Sequence, residues 1–117
     1  MLDDVTTQLR RGVVEFCVLG LLARSPMYGW QLAAALTERD LIASIGTLYP
    51  LLGRLRDREL IVAFEQRNEG QQSAPGGPTR KYYRLTPLGE EHLARFRAQW
   101  RPFTQSVSEI IEEGKTR

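Results

Sequence analysis

Cys17 and His92 are the only cysteine and the only histidine among the 117 residues, and neither has the neighbours that chemistry would need. One of each gives no ligand set for zinc, and no nucleophile, base and orienting group can be assembled around His92. His92 therefore reads as a solvated surface residue. Cys17 lies in an apolar run with nothing close in sequence to lower its pKa, so it reads as a packed, inert thiol. It also lacks a partner for an intrachain disulfide, which suits a reducing cytoplasm. Glu90 and Glu91 are adjacent, but neighbours on a helix diverge by about 100°, and complementing a helix N-terminus explains them without acid–base catalysis. Gly70, Gly76 and Gly77 have the composition of a phosphate cradle, yet no lysine follows in the P-loop pattern and the next element reads as a strand. No catalytic residues, metal site or cofactor are expected, and an enzyme is the most distant of the readings.

What remains is a polar constellation suited to a polyanion. Thr47, Tyr49, Arg54, Asp57 and Arg58 fall outside a helical pattern whose inner side is Leu48, Leu51, Leu52 and Leu55. The result is a small polar surface with one aromatic ring and two long cations. Arg80, Lys81 and Arg84 follow on a second basic segment. Residues 47–84 hold seven basic side chains against four acidic ones, while the rest of the chain holds nine against ten and the total is +2. The total names no partner, but an excess concentrated in one central segment suits contact with phosphates. The plainer readings are a core helix with a merely solvated outer face, and strand cations that block sheet aggregation. For Arg84 the second is sufficient.

These side chains need elements to hold them. Val5, Leu9, Val13, Phe16, Leu19 and Leu22 recur at helical spacing behind Asp3 and Asp4, so one first helix is expected to run to about Arg24. Arg10 and Arg11 before the apolar run Gly12–Ala23 have the outline of a secretory leader. However, Glu15 interrupts the run, the start is acidic, and the run falls well short of the roughly 18 residues that span a bilayer. A buried helix explains it better. Ser25-Pro26 ends that helix, and a second, short one follows Gly29 with Leu32 and Leu36 inward, ending near Glu38. The third starts at Ser44 or Thr47, with Pro50 favouring Thr47 as its cap. The period then changes to two, with Ile61, Ala63 and Glu65 opposing Val62, Phe64 and Gln66, and a second strand covers Arg80–Thr86. Asn68–Thr79, rich in glycine and proline, is the long exposed turn between them. Thr86-Pro87 caps a long fourth helix with Glu90 and Glu91 in its opening turn. The expected class is mainly α with a small β-hairpin. It is a winged helix-turn-helix over residues 1–86, whose third helix is the reading helix, joined into one unit with a C-terminal dimerisation helix over 87–117.

Along the last helix Leu93, Phe96, Trp100, Phe103, Val107 and Ile110 alternate spacings of three and four, as a heptad seam does, and such a stripe needs a partner. They are the expected dimer interface. Pro102 removes a backbone donor within it, so a kink is expected over Ala98–Pro102. Trp100 lies beside that kink. Near a two-fold axis the two indoles would wall a slot, lined by Phe96 and Phe103, for a planar aromatic molecule. The alternative is that Trp100 simply fills the dimer core.

Three segments carry a resemblance: Pro26-Met27-Tyr28-Gly29-Trp30-Gln31-Leu32, then Gly46-Thr47-Leu48-Tyr49-Pro50-Leu51-Leu52 with Arg54-Leu55, then Arg80-Lys81-Tyr82-Tyr83-Arg84-Leu85-Thr86 with Gly89. In this order and at these separations they resemble the PadR family of winged-helix repressors, in particular its short subclass with a single C-terminal dimerisation helix. The resemblance covers nearly the whole chain. It implies a cytoplasmic homodimer that binds a double-stranded DNA operator and is released by a small-molecule effector. By resemblance Tyr28, Thr47, Tyr49 and Arg54, with Arg80 and Lys81 of the wing, contact DNA. Ser44, at the alternative start of the reading helix, and Arg58, on its outer face, complete the candidate set. Glu59 stands where the family usually ends the third helix with glycine, and Arg56 where it usually has glutamate. The first bears on the turn into the wing, and the second adds a cation for phosphate contact. The alternative function is a winged-helix module that uses the same faces for a protein partner. A membrane is not among the expected partners.

Overall fold

The computed structural model describes residues 4–67 and 79–112. Five helices and three strands follow in the order α1 (Asp4–Arg10), α2 (Val14–Arg24), β1 (Met27–Tyr28), α3 (Gly29–Glu38), α4 (Leu48–Asp57), β2 (Ile61–Arg67), β3 (Thr79–Leu85) and α5 (Pro87–Ile111). A 3-10 turn, Ile45–Thr47, leads into α4. The expected fold class holds: mostly helix, with a small antiparallel sheet. Among the described residues, no helix is long and apolar enough to cross a membrane.

The expected first helix is two helices. Gly12 sits in the left-handed region with φ +82°, where glycine alone escapes a steric penalty, and the chain turns there between α1 and α2. The break divides the apolar stripe. Val18, Leu19 and Leu22 of α2 enter the core, whereas Val5 and Leu9 of α1 stay exposed. The Arg10 guanidinium donates to the Asp40 carbonyl, tying the end of α1 to the end of α3.

The core is built from leucines on three helices: Leu19 of α2, Leu32 and Leu36 of α3, and Leu48, Leu52 and Leu55 of α4, closed by Ile61 and Leu85 of the sheet and Leu93 of α5. All four inward leucines expected on α4 are buried. The sheet runs β1-β3-β2, with Ile61 opposite Leu85 and Arg67 opposite Thr79. β1 was not expected; two residues give no periodicity, and only its pairing of Met27 with Tyr83 and Tyr28 with Tyr82 defines it. The long exposed turn expected over Asn68–Thr79 falls, but for Thr79, outside the described residues.

The turn into the wing forms without glycine. Glu59 adopts φ +64°, while Leu60 N–H bonds the Leu55 carbonyl at 3.0 Å and Glu59 N–H bonds the Arg56 carbonyl at 2.8 Å. This is a Schellman termination, with glutamate in the position that favours glycine. Thr86 then caps α5: its Oγ1 accepts the Gly89 N–H at 2.9 Å and donates to the Glu59 carbonyl at 2.7 Å. Pro87 takes the first helical position, where its missing N–H costs nothing. α5 continues through Pro102 as one helix of 25 residues, so the expected kink does not divide it.

Candidate nucleic-acid interface

Tyr28 immediately precedes α3, and its backbone is held twice, by pairing with Tyr82 and by donation of its N–H to Gln31 Oε1 at 3.0 Å. The anchored ring meets Tyr82 edge-on at 5.4 Å, and the Arg80 guanidinium lies over its face, 4.4 Å from the centroid. Stacking fixes a long, mobile cation in one place and lowers the entropy it loses on contacting an anion. Tyr49, in the first turn of α4, is half exposed and reaches toward the start of α3: a methyl group at Gly29 would lie 2.8 Å from its hydroxyl. Tyr28, Trp30, Tyr49, Arg56, Arg80 and Lys81 line one cleft of about 790 Å³ between the two helices and the wing. Behind it, burial pushes the Tyr83 phenol above its ordinary pKa; Tyr49 adds to the push and the nearby Arg56 guanidinium opposes it.

The other flank of α4 has a different character. Glu15 of α2 places Oε1 3.0 Å from Arg58 Nη1 and Oε2 3.7 Å from Arg54 Nε. Arg58 Nη2 also lies 3.2 Å from His92 Nε2 on α5. His92 is accordingly half-buried, not the solvated residue expected, and its ring stacks on Phe16 at 5.3 Å. The contacts come from α2 and α4, far from His92 in sequence, so no local pattern announced them.

The eight expected DNA contacts thus divide. Tyr28, Tyr49, Arg80 and Lys81 meet around the cleft. Ser44 and Thr47 are exposed at the N-terminal edge of α4. Thr47 does not cap α4 with its side chain, as expected; its hydroxyl turns back and donates to the Ser44 carbonyl at 2.8 Å. Arg54 and Arg58 lie on the far flank against Glu15. Arg56, expected only as an added cation for phosphate contact and not in the candidate set, and Trp30, not expected as a contact, belong to the cleft. Arg56 was recoverable: it lies two turns beyond Tyr49 and so on the same side of the helix. Trp30, 67% exposed as the second residue of α3, offered no signal besides its size.

On α5, Leu93 is buried within the chain and has no surface left for the dimer seam expected of it. Phe96 is half covered by a stack on Phe16 at 3.9 Å and meets Trp100 at 5.3 Å. Phe103, Val107 and Ile110 remain exposed. Phe96, Trp100 and Phe103 do share one concavity, of about 370 Å³, whose other wall is Arg11, Gly12 and Val13 of the same chain. Cys17 is half-buried, and desolvation pushes its thiol above the ordinary pKa.

The model of the transcriptional regulator PadR-like family matches residues 18–95, from α2 into α5. A crystal structure of a PadR family transcriptional regulator from Eggerthella lenta is 32% identical, with a TM-score of 0.75, and the match covers 93% of this chain and 90% of that one. A PadR-like transcriptional regulator from Bacillus cereus is 30% identical over 90% of this chain and 97% of its own, also with a TM-score of 0.75. A Streptococcus transcriptional regulator is 36% identical over 88% of this chain and 96% of its own, with a TM-score of 0.73.

Proposed function

The chain belongs to the transcriptional regulator PadR-like family, whose members are DNA-binding regulators and not enzymes, and on that premise we propose that it is a homodimeric repressor released by a planar aromatic effector. Each subunit inserts α4 into one of two successive major grooves, with the wings gripping flanking phosphates. The observation that carries this reading is the convergence of Tyr28, Tyr49, Arg80 and Lys81 on one exposed cleft beside α4. Cations supply the sequence-independent attraction to the duplex, while Ser44 and Thr47, at the exposed leading edge of α4, are the side chains that reach base edges.

Dimerisation is supported by apolar surface that a single chain leaves in water: Val5 and Leu9 on α1, and Phe103, Val107 and Ile110 on α5. The concavity at Phe96, Trp100 and Phe103 supports an effector site against the dimer seam. A ligand there alters the angle between subunits and hence the spacing of the reading helices, which must match half-sites about 34 Å apart. The decisive experiment is a salt-dependent mobility shift of the promoter fragment nearest its own gene, with a reporter to give the sign of regulation. A specific complex, weakened steeply by salt and lowering reporter output, is expected. Absence of any salt-dependent complex would return the chain to the class of protein-binding modules. For the effector, planar dyes are titrated against wild type and Trp100→Ala, and equal affinities would exclude Trp100 from the site.

A further inference from the structure

We propose that the cleft between α4 and the wing is the seat of one DNA strand's sugar–phosphate backbone, with Arg56 as a phosphate ligand and Trp30 as the surface that covers deoxyribose. The inference rests on the DNA-binding reading above and assigns the work to two residues outside the set carried by resemblance.

The first support is electrostatic. Among the described residues Arg56, Arg80 and Lys81 have no carboxylate within ion-pair distance, whereas Glu15 serves both cations of the opposite flank. Three cations without an ion pair line one cleft, with Glu65 opposite only Lys81 in the sheet, and an anion entering between them meets all three while releasing counterions. Arg80 is already oriented by its stack on Tyr28. A carboxylate in place of Arg56 would put a like charge against the incoming phosphate.

The second support is topological. With α4 in a major groove and the wing outside it, the strand bordering the groove must cross the space between them. Deoxyribose is the less polar part of that strand's backbone and alternates with the phosphates. Trp30 offers an exposed indole at the rim of a cation-lined cleft, apolar on its face and able to donate a hydrogen bond through Nε1. Its position in the first turn of α3 is fixed by the Tyr28 anchor and by the close approach of Tyr49 to Gly29.

Backbone contact is indifferent to sequence, so the test uses a mixed-sequence duplex as well as the promoter fragment. Affinity is measured across salt concentrations for wild type, Arg56→Gln, Arg56→Lys and, as a charge-removal control on the outside of α5, Arg95→Gln. Arg56→Gln is expected to flatten the slope of log affinity against log salt by about one unit per subunit on both duplexes, with Arg56→Lys retaining the wild-type slope. In a Trp100→Phe background Trp30 is the sole indole, and its quenching by acrylamide is expected to fall at least twofold on adding either duplex. Circular dichroism checks that each variant is folded. An Arg56→Gln slope equal to that of wild type or Arg95→Gln, or an indole equally open to acrylamide in the complex, overturns the seat while DNA binding itself stands. Failure of wild type to bind either duplex overturns both, and capture of an acidic peptide by the same cleft would then be the reading left.

Discussion

Glu15 and Arg58, 43 positions apart in the chain, meet at 3.0 Å, and the same carboxylate lies 3.7 Å from Arg54. One acidic side chain on α2 thus answers both cations on that flank of α4.

Removing that carboxylate should leave two arginines beside the duplex without a competitor. Glu15→Gln is expected to steepen the salt slope of DNA binding by up to about one unit per subunit. The pair is partly exposed, so the loss of folding stability should stay within about 1 kcal/mol. Fluorescence anisotropy over a salt series and urea denaturation measure the two effects. A flatter slope with weaker binding would instead make Glu15 the residue that holds the arginines ready for phosphate.

The left-handed backbone at Glu59 gives a prediction with the opposite sign from most substitutions. Glu59→Gly removes the Cβ penalty at φ +64° and should raise stability by about 0.5–1 kcal/mol after the greater unfolded-state entropy of glycine is deducted. A β-branched residue at the same position should lower it. Urea midpoints at unchanged m-value test both, and a less stable Glu59→Gly would show that the carboxylate contributes more than the backbone loses.

Two glycines should respond to alanine in different ways. At Gly89 the added methyl overlaps the Leu60 carbonyl oxygen, a backbone atom in the turn that joins α4 to the wing. Gly89→Ala should therefore cost about 3 kcal/mol of stability, at the upper end of overpacking effects. At Gly29 the methyl meets the tip of the Tyr49 side chain, which can swing away. Gly29→Ala should stay within about 1 kcal/mol of wild type in denaturation but bind DNA more weakly. If Gly29→Ala binds DNA like wild type, the position of Tyr49 does not matter to the interface.

Along α5 a carboxylate should act differently at each level. Leu93→Asp buries an unpaired charge in the protomer core and should abolish the fold. Phe103→Asp or Ile110→Asp touches only exposed surface and should leave a helical, folded monomer. Sedimentation at micromolar concentration with far-UV circular dichroism separates the cases. Phe103→Asp sedimenting as a dimer would move the interface elsewhere.

Cys17 should be slow to react at neutral pH. The thiolate is the nucleophile, burial favours the neutral thiol, and raising the pKa lowers the thiolate fraction at any pH below it. Maleimide labelling should therefore lag that of a free thiol at pH 7, and its rate should continue to climb with pH beyond the range where the free thiol has levelled off. Urea should restore ordinary reactivity. Rapid labelling of the folded protein at pH 7 would count against a packed thiol.

The sequence made legible those features whose cause is local. The inward leucines of α4, the period-two strands and the Thr86-Pro87 cap each depend on neighbours within one or two turns. Gly12 escaped notice because it interrupts an apolar stripe without disturbing its spacing, and only the backbone reveals the turn. β1 is too short to carry a pattern and exists through its pairing with β3. The division of α4 into an Arg56 flank facing the wing and an Arg54–Arg58 flank facing α2 required knowing which neighbour lies on which side. His92 was misjudged for the same reason, since its partners Phe16 and Arg58 arrive from other helices.

The stack of Phe16 on Phe96 grips α5 less than halfway along its length, and the residues from Phe96 to Ile111 extend onward from that fulcrum. At about 1.5 Å per residue this arm is about 22 Å long, and a tilt of about 5° at the stacked rings moves its tip by about 2 Å. Leverage of this kind works in both directions. If the tips of two arms are joined across a two-fold axis, a small change in how the rings lie on one another is magnified at the seam. Strain applied at such a seam would conversely be geared down into fine adjustment at α2 and the helices packed on it.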